Sequence, residues 1–171
     1  MSTNPSLDTI QFLFRYHQWA TSAVWDCVQS LTDDAFIQPM DYAWGSVRGQ
    51  VVHLIGAQQV WIHRLQGHSP PQLPPETAYP TRDAVDVFWQ QVQTETQSFL
   101  DGLTPQRLMA SFGYTDTKGQ AFSHPVGHVL LHVINHSTDH RAQILYMIHR
   151  LGGKTVEQDL IFFMRDQPAN D

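Results

Sequence analysis

The chain is nearly free of cysteine and poor in charge, and both shortages narrow what it can be. Cys27 is the only cysteine in 171 residues, so there is no intrachain disulfide framework and a reducing, cytoplasmic setting is expected. The residue itself reads as a small core side chain. Charged residues make up 15% of the chain, and the ten Lys and Arg are scattered without a basic run under a formal charge of −6. That leaves no footprint for a nucleic-acid groove or an anionic-membrane patch. Also missing are an apolar stretch long enough to span a bilayer and, in MSTNPSLDTIQFL, the basic start and apolar run of a signal peptide. Glutamate is scarce. Glu76, Glu95 and Glu157 have no His three residues on, which excludes the E-x-x-H pairs of a ferritin-like di-iron bundle. H-E-x-x-H, a P-loop, a Rossmann glycine signature and G-x-S-x-G are absent as well.

What is present is helical periodicity and histidine. The length suits one domain, residues 1–171, with a sizeable core. A first helical pattern runs from Leu7 to Leu31, with Ile10, Leu13, Phe14, Ala20, Val24, Cys27, Val28 and Leu31 at three- and four-residue spacing. A second opens at Ser46, a good N-cap, and stops at Gly67. Five prolines between His68 and Pro80 forbid regular helix, so a long exposed connection is expected. A third helix starts near Thr81 and continues through Phe88, Val92 and Phe99 to Asp101-Gly102. Thr104 to Ser123 is polar, and Asp116-Thr117-Lys118-Gly119 reads as the turn of a small hairpin. A fourth helix is expected from Ser123 or His124, with Pro125 in its first turn, to Gly152-Gly153. Thr155 and Gln158 have capping-box spacing ahead of a short fifth helix, Leu160 to Met164. The expected fold is all-α, a four-helix bundle with a short C-terminal helix.

His132, His136 and His140 recur every four residues in LLHVINHSTDHRAQI. Imidazoles at i and i+4 lie one turn apart on the same side of a helix and can share a metal ion. The core direction of this helix is set by Val126, Val133, Ser137, Ile144, Ile148 and Leu151. At roughly 100° per residue, His140 falls about 40° from it, His136 about 80°, His132 about 120° and His128 about 160°. His136 and His140 are therefore the candidate pair, and His132 and His128 turn toward solvent. Arg141 lies near the edge of the apolar face, either snorkelling over core surface or clamping an anion beside the site.

Two ligands do not complete a catalytic coordination sphere, which takes three protein ligands and an open position. The second helix offers His53 and His63. His63 shares its side with Arg48, Gln59 and Gln66 and reads as solvated. His53 shares a strip with Gly56, Ala57 and Val60, small residues that would let a neighbouring helix approach closely, but the main apolar stripe points elsewhere. Periodicity leaves His53 open.

Asn135 to Ile144, NHSTDHRAQI, resembles the N-H-x-x-x-H-R-G-Q signature of the DinB/YfiT-like family of four-helix metal-binding proteins. Tyr16-His17-Gln18-Trp19-Ala20 is similar to the Y-x-x-W-A of the family's first helix. Ser46, followed by His53-Leu54-Ile55-Gly56-Ala57 and Trp61, is similar to its second-helix pattern, and Gly119 and Asp159-Leu160-Ile161 also agree. The resemblance covers most of the chain. It implies a three-histidine site for a divalent metal, zinc or nickel foremost, with His53, His136 and His140 as ligands. Two positions depart from the pattern: Ala142 stands where H-R-G-Q has Gly, and Thr21 where Asn usually follows Trp-Ala.

Some members of this superfamily resemble S-transferases or isomerases that use a low-molecular-weight thiol such as bacillithiol or mycothiol. The expectation is accordingly a metal-dependent enzyme, transferase or hydrolase, that activates a thiol or water for attack on a small electrophile. Arg141 and Gln143 are the candidates for orienting substrate, and Tyr16 and His17 are candidates for facing the same cavity. The alternative is a metal-bearing bundle that binds a small ligand or protein partner without catalysis. Trp44 and Trp61 are candidate pocket walls among aromatics that otherwise read as core. Exposed apolar surface on the first or third helix would suit a homodimer.

Overall fold

A computed structural model describes residues 4–70 and 72–166. Four long helices form the body: α1 (Leu7–Gln29), α3 (Val47–Leu65), α4 (Arg82–Asp101) and α6 (Val126–Arg150). Three shorter ones, α2 (Asp33–Ile37), α5 (Pro105–Met109) and α7 (Leu160–Asp166), sit in the connections. A two-stranded antiparallel sheet, β1 (Ser111–Thr115) with β2 (Ala121–Pro125), pairs Ser111 with Pro125 and Thr115 with Ala121.

Three of the four long helices start where hydroxyl side chains can take their free amides, and α6 follows Pro125 without such a cap. Ser6 Oγ accepts from Thr9 N, Ser46 Oγ from Gly49 N at 2.9 Å, and Thr81 Oγ1 from Ala84 N. α3 and α6 end at glycines that take left-handed backbone, Gly67 (φ +92) and Gly152 (φ +77). The hairpin turn is held by Asp116, whose Oδ1 accepts from Lys118 N at 2.8 Å and Gln120 N at 2.9 Å.

Three expectations are corrected. Ser123 and His124 belong to β2, and α6 begins only at Val126. A residue before proline is pushed toward extended backbone, which suits a strand as well as an N-cap; pairing with β1 decides it, with His124 opposite Phe112 and Val126 N donating to Ala110 O at 3.0 Å. Thr155 and Gln158 form no capping box, because residues 154–159 are not helical and the Gln158 side chain turns inward to Arg141. Gly56 faces no helix. It faces the Pro-rich connection, where Pro74 Cγ and Cδ would lie 2.7 Å from an added Cβ. That connection is anchored by its 3-10 turn, Glu76–Ala78: Ser46 Oγ donates to Glu76 Oε2 at 3.1 Å.

Packing gathers into two large apolar halves and a small third cluster of Tyr16, Ala20 and Phe163, where α7 meets α1. One gathers Val24, Val28, Phe36, Val47, Val51, Val85, Phe88, Ile144 and Ile148. The other gathers Ile10, Phe14, Ile62, Leu65, Leu100, Leu108, Val126, Leu130 and Val133. Between them every long helix carries buried polar residues: His17 and Thr21 on α1, Gln58 on α3, Thr96 on α4, Ser137 and Arg141 on α6. Ser137 bonds back to Val133 O, and the others form one buried relay across the bundle. Arg141 Nη1 donates to His17 Nδ1 at 2.9 Å, the His17–Gln58 contact measures 2.8 Å, and Gln58 Nε2 donates to Thr96 Oγ1 at 2.9 Å. A guanidinium only donates, so His17 Nδ1 is the acceptor and its Nε2–H donates to Gln58 Oε1. Such a layer has satisfied partners in one helix register only.

The relay makes stability pH-dependent. Burial, and then the adjacent Arg141 charge, hold the His17 pKa down at about 3 from its ordinary 6.5. Between those values the unfolded chain binds a proton that the folded chain refuses, so this contribution is complete above 6.5 and is lost as pH falls toward about 3. A His17→Gln variant is expected to show a shallower fall in Tm than the wild type between about pH 7 and about pH 4. Parallel melting curves across that range would rule out His17 as the source.

Candidate metal centre

His136 and His140 lie one turn apart on α6, and α3 carries His53 against them. One ligand-capable atom from each of the three lies within 4.8 Å of the others. Ring centroids are 4.1 Å apart for His136–His140, 4.6 Å for His53–His140 and 5.4 Å for His53–His136. All three rings are partly exposed, so the cluster opens to solvent. Burial and then the His140 ring lower the His53 pKa to about 4, and burial with three neighbouring imidazoles lowers His136 to about 3. His140 is lowered by burial, with Asp139 and Gln143 opposing. Near neutral pH the cluster is thus uncharged, the form in which imidazole offers a lone pair.

The residues fit a divalent cation. His53 Nδ1 is buried with no hydrogen-bond partner in the protein, a costly state for a ring nitrogen unless something else satisfies it. The donor set, three neutral imidazoles without a carboxylate, suits zinc, nickel or iron.

The surroundings hold the rings in place. Trp44 stacks on His53, centroids 4.0 Å apart and planes 16° from parallel. It sits in a tight turn in which Ala43 (φ 48) and Gly45 (φ 77) both take left-handed backbone. That turn comes close because residue 49 is glycine: an added Cβ there would lie 2.3 Å from Trp44 O.

Gln50, fully buried and three residues before His53, was not legible as a site residue. Its Nε2 meets His140 Nδ1 and donates to Gln143 Oε1 at 3.0 Å, while its Oε1 has no partner. Turned over, the amide would accept from a His140 Nδ1–H and leave Nε2 with the lone pair that a metal needs. Gln50→Leu is expected to weaken divalent-metal affinity by about 10–100-fold with the helical content unchanged. Competition with a chromophoric chelator reads this out, and wild-type affinity would remove Gln50 from the site.

The other sequence candidates are dispersed. Gln143 stands at the edge of the cluster, its Nε2 donating to Asp139 Oδ2 at 3.0 Å. Arg141 neither snorkels nor faces the metal ligands. It is 0% exposed and donates to Gln158 Oε1, His17 Nδ1 and Thr138 Oγ1 at 2.6, 2.9 and 3.1 Å. Tyr16 and His17 are buried in the same network, Tyr16 through a 2.8 Å bond to Gln158 O. The wheel misplaced Arg141 because nothing in α6 alone shows that residue 158 folds back over it. His128 and His132 are exposed, as the wheel has them. His63 is partly exposed beside Glu95, Nε2 to Oε2 3.4 Å.

A helical bundle in which two helices bring three neutral imidazoles together defines a class of candidate metal-binding bundle proteins. Within that class the assignment follows from the sequence: the profile of the DinB family matches residues 1–171, and the chain belongs to that family. Its fold is similar to that of a DinB-like protein from Bacillus cereus ATCC 10987, with a TM-score of 0.62 over 85% of this chain and 94% of that one. The two are 18% identical, so the likeness concerns fold alone. No curated protein matches the chain. Among the described residues no helix is long and apolar enough to cross a membrane.

Proposed function

We propose that this chain is a metal-dependent enzyme that activates a low-molecular-weight thiol, or water, for attack on a small electrophile. The observation that carries the reading is the convergence of His53, His136 and His140 within 4.8 Å in a cluster that solvent reaches. When bound there, a divalent ion, zinc or nickel, supplies Lewis acidity that favours the deprotonated form of a thiol or water at neutral pH. Neutral ligands favour this, because they leave the ion's double charge undiminished.

The chain's own thiol is a poor candidate for the nucleophile, so a thiol taking part in this reaction would come from a cosubstrate. Cys27 is partly buried against the apolar half around Val24 and Val28, and burial, then Asp26, raise its pKa. Its single thiol also suits the cytoplasm. The test is thiol consumption with a panel of small electrophiles, with and without chelator, in wild type and His136→Ala. Turnover that chelator and the substitution both abolish supports the reading. Turnover that survives His136→Ala overturns it, and metal binding without any turnover leaves a non-catalytic metal-bearing bundle.

A further inference from the structure

Beside the three histidines lies a second feature that the metal does not account for. A cleft of about 270 Å³ is lined by Trp61, Tyr114, His124, His128, Val129 and His132. It abuts the cluster through His132, whose ring centroid is 5.7 Å from His136 and 5.1 Å from Trp61. Trp61 meets both Tyr114 and His132 edge to face, at 5.1 Å and interplanar angles of 73° and 74°, so the walls are fixed aromatic surfaces.

The chemistry of the walls selects the occupant. No carboxylate lines the cleft, and its polar groups are imidazole nitrogens, the Trp61 indole N–H and the Tyr114 hydroxyl, which pairs with His124 Nδ1 at 3.2 Å. The π faces are already engaged by a cation, since the buried Arg64 guanidinium lies 4.5 Å from the Trp61 centroid and 5.4 Å from Tyr114. With Arg64 already seated on these rings, and the nearby Asp116 carboxylate interacting with both Arg64 and Tyr114 and offsetting its charge, neither a further cation nor an anion finds an unpaired opposite charge there. An uncharged flat ring suits what is left. A benzene molecule fits a cavity of about 150 Å³ and drug-sized ligands need about 300 Å³ or more, so the space matches a one- or two-ring group rather than a whole large molecule.

We infer that this cleft seats an uncharged aromatic group of the substrate and holds it beside the His136 end of the metal centre. The inference rests on the proposed function for the word substrate, while the binding itself is tested without turnover.

The probe is 1-naphthol, titrated into metal-free protein and followed by NMR at the Trp61 indole, Tyr114 and Val129, with phenyltrimethylammonium as the cationic comparison. Saturable shifts at those three residues are expected. Affinity should fall about tenfold or more in Trp61→Leu, which removes a wall, and in His128→Trp, which fills the mouth from an exposed position. Phenyltrimethylammonium is expected to bind about tenfold more weakly than 1-naphthol. Shifts elsewhere, wild-type affinity in both variants, or tighter binding of the cation would overturn the cleft assignment. In Co²⁺-loaded protein the bound naphthol protons should relax faster than with Zn²⁺; equal relaxation would overturn its placement beside the metal. His53→Ala separates the two ideas. If that variant keeps its metal, the metal reading fails, while naphthol binding still reports on the cleft.

Discussion

His136→Ala is expected to lower divalent-metal affinity by at least about a hundredfold while leaving the fold intact. Loss of groups that merely orient a ligand costs about 10–100-fold, and removal of a ligand itself costs more. His136 is the central ring of the cluster, within 5.7 Å of His53, His140 and His132. The side chain is only partly buried, so the apo variant should melt within about 0.5 kcal/mol of the apo wild type. The contrast then appears on adding metal. At a free concentration about 100 times Kd, a ligand stabilises the folded state by about 2.7 kcal/mol, an upward Tm shift that the variant should lack. The pH profile gives a second check. With His53 at about 4, His136 at about 3 and His140 held below its ordinary value by burial, protons compete for the lone pairs only in acid. Affinity should therefore change little from about pH 8 to about pH 7 and decline as the solution is acidified below that.

Arg141→Met is expected to destabilise the metal-free protein by about 2 kcal/mol, with metal affinity little changed. Two effects compete. Removing a fully buried cation with no carboxylate partner relieves a desolvation cost, and apolar replacements of buried charges can be neutral or better. Against that, His17 Nδ1 and Gln158 Oε1 lose their donor, and each buried orphan costs roughly 1–3 kcal/mol. Two orphans outweigh the relief. Arg141→Lys should not rescue, because one ammonium cannot serve acceptors that Nε and Nη1 now reach in different directions. Urea unfolding of the apo proteins measures this. Unchanged stability would mean that the relay is not what holds the register of α1, α3, α4 and α6.

Much of the bundle could be read from local chemistry, because it was decided locally. Ser46, Thr81, Gly67 and Gly152 mark helix ends by capping and left-handed backbone alone. α2 and α5 escaped because five residues are too few to show a period, although Thr32 and Thr104 cap them as any reader of hydroxyls would ask. On α6 the wheel separated His136 and His140 from His128 and His132, since one face of that helix is plainly apolar. α3 gave no such help. It is buried on nearly every side, so its apolar stripe does not say which face meets α6, and His53 needed the family resemblance. Trp44 and Arg141 stand out in the sequence, but their partners do not: Gln50 meets His140 across 90 residues and Arg141 meets His17 across 124, and the pattern of one helix cannot show what another helix brings to it.

The most direct test of the account is metal content, by elemental analysis, of protein purified without an affinity tag, for the wild type, His53→Ala and His140→Ala. The account predicts about one divalent ion per wild-type chain and almost none in either variant. Metal kept at the wild-type level in both variants would contradict it.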